Sequence, residues 1–121
     1  VSKSWMIADY LRPYARWRVD RAGARDDEGA DRDGGHDARA AIGLIDAAAY
    51  AMRLDDDADP VARLDAAGCF AGGRFDPGPE GERIVRNWHC DTAGGPADLM
   101  EALASAAERA RRTLAAPAAR A

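Results

Sequence analysis

Two histidines and two cysteines are the side chains of this sequence best suited to nucleophilic, acid–base or metal chemistry. Their spacing decides how much of that chemistry is available. His36 follows Asp33 in a glycine-rich stretch, and His89, Cys90 and Asp91 are consecutive. A zinc hydrolase helix needs His-Glu-x-x-His and a carboxylate-bridged di-iron bundle needs Glu-x-x-His pairs; neither pattern occurs. Cys69, His89 and Cys90 converge on a zinc ion only if two separate segments meet, and neighbours on a helix diverge by about 100°. A cysteine–histidine catalytic pair meets the same objection, because adjacency in sequence is not the geometry that proton transfer needs. The cysteines lack C-x-x-C spacing and are too few for a disulfide scaffold, so Cys69 and Cys90 are expected as reduced thiols. Gly72-Gly73 and Gly94-Gly95 carry neither a P-loop lysine nor G-x-G-x-x-G spacing. Counted from Asp31 or Asp55, a calcium loop would lack its sixth-position glycine and its twelfth-position glutamate. The expectation is no catalytic residue, no cofactor and no metal, with a small enzyme or metal site using His89 and Cys90, or His36, as the third-ranked function.

With little chemistry to position, charge and apolar pattern carry more information. Residues 1–25 hold a net charge of +4, residues 26–65 hold −8, and the remainder balances, giving −4 for the 121 residues. A basic segment thus precedes an acidic one, and the two either attract each other within one fold or form a charged docking surface. Lys3 is the only lysine beside sixteen arginines, Asn87 the only asparagine, and glutamine is absent, as GC-rich bacterial coding produces. Abundant arginine therefore points only weakly to phosphate. No apolar run approaches the roughly 20 residues that span a bilayer, and VSKSWMIADY has no apolar core of a signal peptide, so a cytoplasmic protein without a membrane segment is expected.

The periodicity is helical throughout. Ser4 caps a first helix on which Met6, Ile7, Tyr10, Leu11, Tyr14 and Trp17 recur at helical spacing, with Pro13 kinking or splitting it near Arg12. Half of the eight aromatic residues lie on this one element. They either fill the core or, with Arg16 and Arg18, form a partner interface of Trp5, Tyr10, Tyr14, Arg16, Trp17 and Arg18. Residues 23–36 are charged and glycine-rich and read as a mobile loop. The following stretch, HDARAAIGLIDAAAYAMRL, reads as a central helix whose buried face is Ala38, Ala41, Ile42, Ile45, Ala48, Ala49 and Met52, with Leu44 and Ala51 widening the apolar surface.

A short helix begins at Asp59-Pro60, buries Val61 and Leu64, and ends at Gly68. Cys69-Phe70-Ala71 and Arg74-Phe75 flank Gly72-Gly73, which reads either as a β-hairpin over residues 69–75 with Phe70 opposite Phe75 or as a glycine-rich loop. Pro79 opens a helix carrying Ile84, Val85 and Trp88 inward. A last helix follows Gly94-Gly95-Pro96, lines up Leu99, Met100, Leu103, Ala106, Ala107, Ala110 and Leu114, and closes at Pro117.

From Leu54 onward the order of a short helix VARLDAAGCF, a glycine hairpin GGRF and a further helix PGPEGERIV resembles the end of a winged-helix DNA-binding domain. That resemblance implies a recognition helix, a wing and nucleic-acid binding. The sequence departs from it in charge: Arg63 is the only base on the short helix, and Asp55, Asp56, Asp57, Asp59 and Asp65 surround it.

The fold expected is mainly α: a bundle of four to five helices forming one domain over residues 1–116, with residues 117–121 as a frayed tail. The function expected is that of a non-enzymatic interaction or regulatory protein, a homodimer associating through its N-terminal aromatic and basic helix. A winged-helix-like nucleic-acid-binding regulator is the alternative.

Overall fold

The computed structural model describes the backbone of residues 2–26, 31–88 and 94–120, and side chains of residues 2–21, 38–88 and 94–113. Among these residues it is a bundle of five helices with no β-strand. In chain order they are α1 (Lys3–Asp26), α2 (Asp31–Met52), α3 (Asp59–Ala66), α4 (Gly78–Arg86) and α5 (Pro96–Arg120).

The long helices α1 and α2 form an antiparallel hairpin. Its open end is tied by the buried Ser4, whose hydroxyl donates to the Leu54 carbonyl at 2.6 Å. Ser4 is therefore a packing residue, and the cap falls to Ser2, whose Oγ accepts the Trp5 N–H at 3.2 Å. Pro13 does not split α1. It lies on the exposed side, where water can serve the Asp9 carbonyl that proline leaves without a donor. The acidic turn after α2 packs over the start of α1: the Lys3 amide donates to Asp56 at 3.1 Å, and Lys3 Nζ stands 3.2 Å from Asp65. Carboxylates at a helix N-terminus satisfy orphan amides and the positive end of the dipole. At this point the basic and acidic segments meet within one chain.

Three sequence-predicted helix ends move. Backbone at 23–26 and 31–36, expected as loop, is helical, and α5 continues through Pro117 to Arg120 instead of closing there. Local charge and glycine disfavour helix, but a helix already nucleated extends at small cost per residue.

α5 lies against α2, α3 and α4 and supplies the fully buried Leu99, Met100, Leu103 and Ala104. They join Ile7, Leu11, Leu44, Val61, Leu64 and Val85 in one continuous core. α3 ends as expected: Gly68 adopts φ 87° while the Cys69 N–H reaches back to the Leu64 carbonyl at 3.1 Å, a left-handed terminus that a side chain would strain. The hairpin over 69–75 is not formed. A turn (Gly73 N–H to Phe70 carbonyl, 3.2 Å) and one return bond (Asp76 N–H to Cys69 carbonyl, 2.8 Å) replace the ladder. Phe70 and Phe75 still meet, with ring centroids 5.4 Å apart, and Phe75 also takes Tyr10 edge-on at 5.3 Å. Burying these rings against α1 closes the segment without strand pairing.

Candidate interaction surface

The face assigned to α2 from its periodicity is only partly the buried one. Ala40, Ala41, Leu44, Ala47, Ala48 and Ala51 line the core, whereas Ile42 is 58% and Ile45 51% exposed. Ala38 and Ala49, one turn to either side, are exposed as well, and Met52 is half-buried. α2 is apolar around most of its circumference, and the bundle covers one side. On the wheel, at about 100° per residue, the covered residues form one arc and Ala38, Ile42, Ile45 and Ala49 the next.

α1 extends this open side. Val19 is 51% exposed and shares with Ile45 a groove of about 670 Å³ whose other walls are Pro13, Ala15, Asp9, Arg12, Arg16 and Asp20. The floor is aliphatic and the rim carries both signs of charge. Arg12 pairs with Asp9 at 3.0 Å along that rim. Scattered exposed aliphatics are ordinary on a surface, but three large ones on adjoining helices make a patch.

The residues expected to form the interface do not form one surface. Tyr10 and Tyr14 meet as tilted rings with centroids 5.3 Å apart on the core side, and burial holds the Tyr10 phenol far above its ordinary range. Arg18 is buried and donates to the Arg86 carbonyl, joining α1 to α4. Trp17 is half-buried beneath the guanidiniums of Arg21, Arg18 and Arg86, at 4.8, 5.3 and 5.6 Å from its ring centre. Trp5 is 48% exposed near the start of α1. Of the six, Arg16 alone lines the α1–α2 groove. Val19 and the outward position of Ile42 and Ile45 escaped the sequence reading. The available signal was the step pattern at 38, 42, 45, 49 and 52, beside charged Arg39, Asp46 and Arg53.

Of the residues singled out for chemistry, Cys69 is the one whose side chain is described. His89 and Cys90 lie outside the described residues, as do the side chains of Asp33 and His36. Cys69 is a buried free thiol, and burial with the nearby Asp76 charge raises its pKa, the opposite of what a nucleophile needs. No group of three potential metal ligands occurs among the described residues.

Arg63, the only base of α3, the helix that the winged-helix resemblance would make the recognition helix, turns to α5. It meets Glu101 at 2.7 Å, chelates Glu108 through Nε and Nη2, and stands 3.5 Å from Asp59. Its side chain fastens α3 to α5, and the hydrogen bonds hold both glutamates below the usual carboxylate range. The wing of that resemblance is missing with the hairpin.

The chain matches no protein-family model, no curated protein and no solved structure. Among the described residues no helix is long and apolar enough to cross a membrane.

Proposed function

We propose that this protein is a non-enzymatic interaction or regulatory module that docks an amphipathic helix of a protein partner on its α1–α2 face. The observation that carries the reading is the open stripe of α2, where Ile42 and Ile45 stand more than half exposed beside Val19. An apolar groove edged by charge suits the helix-in-groove mode, in which anchors at i, i+3, i+4 and i+7 enter the groove and the rim selects partners. Asp9, Asp20 and Asp46 around the stripe disfavour an anionic lipid surface, which attracts uniformly basic rims.

Selection of displayed helical peptides against the intact protein tests this reading. Peptides with apolar anchors at helical spacing should be enriched, and the Ile42→Asp, Ile45→Asp double variant should lose them while keeping its circular dichroism. Enrichment of no such peptides, or of peptides that bind the double variant equally well, would refute the docking face.

A further inference from the structure

We infer that the partner helix enters the α1–α2 groove with a tryptophan as its central anchor, the indole N–H donating to the Asp9 carbonyl that Pro13 leaves without a donor. The inference rests on the docking reading above and names the side chain that the groove selects. α1 runs unbroken from Lys3 to Asp26 with Pro13 inside it. In such a helix the amide of residue 13 would serve the carbonyl of residue 9, and proline has no amide hydrogen to give. Arg12 does not stand in: its guanidinium goes to the Asp9 carboxylate at 3.0 Å and to Met52 Sδ at 2.8 Å. In the free protein that carbonyl is left to water. Asp9 and Pro13 both line the groove shared by Val19 and Ile45, so an open backbone acceptor in the middle of α1 lies beside the exposed aliphatic patch. A partner that covers the patch displaces the water, and a carbonyl sealed off without a donor costs more than an ordinary hydrogen bond returns.

The rest of the groove narrows the donor to an aromatic one. Its walls carry two acids, Asp9 and Asp20, and two bases, Arg12 and Arg16, so a lysine or arginine anchor gains no net attraction there. Its apolar part is Pro13, Ala15, Val19 and Ile45, without an aromatic ring, and at about 670 Å³ the groove has room for a large one. An indole brings a wide apolar body with a donor on its edge, which suits an aliphatic floor beside one open acceptor. Phenylalanine or leucine would fill the same space and leave the carbonyl unserved. Arg16 also lines the groove and makes no ion pair among the described residues, so its guanidinium is available to cover the ring. The same helix already shows that geometry at Trp17, where Arg21 stands 4.8 Å from the ring centre.

The test uses the full chain and a displayed library of amphipathic helical peptides with the central anchor randomised. Tryptophan should dominate the selected anchors. Benzothienylalanine in its place keeps the ring and exchanges the N–H for sulfur, and it should weaken binding roughly three- to tenfold, the worth of one net hydrogen bond. In Pro13→Ala the restored amide takes the Asp9 carbonyl, so the two peptides should bind that variant equally well; alanine favours the helix, and circular dichroism verifies the fold. Phenylalanine or leucine selected as often as tryptophan overturns the inference, as does a sulfur exchange that costs as much on Pro13→Ala as on the parent. Either result, with binding still lost in the Ile42→Asp, Ile45→Asp variant, removes the tryptophan anchor and leaves the docking face standing; a library that yields no helical peptide removes both.

Discussion

The two sides of α2 are made of nearly the same material and have opposite fates. One side presents Leu44 among alanines and is sealed by the bundle; the other presents Ile42 and Ile45 among alanines and faces out. Hydrophobic periodicity says that a helix has an apolar face. It does not say which of two such faces the rest of the chain can reach. Geometry decides: α1 and α5 pack against α2, and Leu44 sits on the side they cover while Ile45 sits one residue, about 100°, away.

The largest expected contrast is between these two neighbours. Leu44→Ala should destabilise the fold by about 2–5 kcal/mol, since a fully buried side chain leaves a cavity, whereas Ile45→Ala should cost no more than about 0.5 kcal/mol. Urea unfolding followed by tryptophan fluorescence measures both. Equal losses would mean that the open side is covered in the monomer.

The next test concerns how tightly the covered side is closed. A Cβ on Gly81 would stand 2.5 Å from Pro77 Cβ and 3.4 Å from Leu103, so Gly81→Ala forces α4 away from the stiff Pro77 ring beside α5. A loss of about 1–3 kcal/mol should follow, despite alanine's better helix propensity. A gain in stability would show that the closure is looser than described.

Much of the covered side was legible in the sequence and the open side was not. Leu99, Met100, Leu103, Val85, Trp88 and the glycine stop at Gly68 follow from local pattern, because each belongs to an amphipathic segment with one apolar stripe or to a turn of fixed handedness. α2 defeats that logic by having two stripes. Phe70 and Phe75 meet as the hairpin reading expected, but in the glycine-rich loop that was its alternative: two aromatic side chains across a glycine turn meet whether or not strands form, and Tyr10 of α1 supplies a third ring. Ser4 and Arg18 misled for the same reason, since a polar residue on a helix looks like a cap or a surface group until a carbonyl from Leu54 or Arg86 comes within its reach.

The smallest effect expected lies in the α3–α5 clasp, which holds the covered side from behind. Glu101 and Glu108 titrate lower in the folded protein than unfolded, because Arg63 hydrogen-bonds their ionised forms. Depressed carboxylates stabilise the fold fully above the unfolded glutamate range of about 4.3, and that contribution is lost as pH falls through the folded values. Both carboxylates are partly solvated, so the slope is modest. Arg63→Met should lower the midpoint of urea unfolding slightly at neutral pH and flatten the decline in stability below about pH 4. An acid limb identical to the parent's would mean that the clasp contributes nothing.

The claim that the open side of α2 serves association and not folding is tested most directly by the urea midpoint as a function of the concentration of a helical peptide selected on that face. A folded state that binds is stabilised by mass action, so the parent midpoint should climb steadily from nanomolar to high micromolar peptide, while that of Ile42→Asp with Ile45→Asp stays flat and meets the parent's at the dilute end. A parent midpoint independent of peptide concentration, or a double variant already unfolded without urea, would contradict the account.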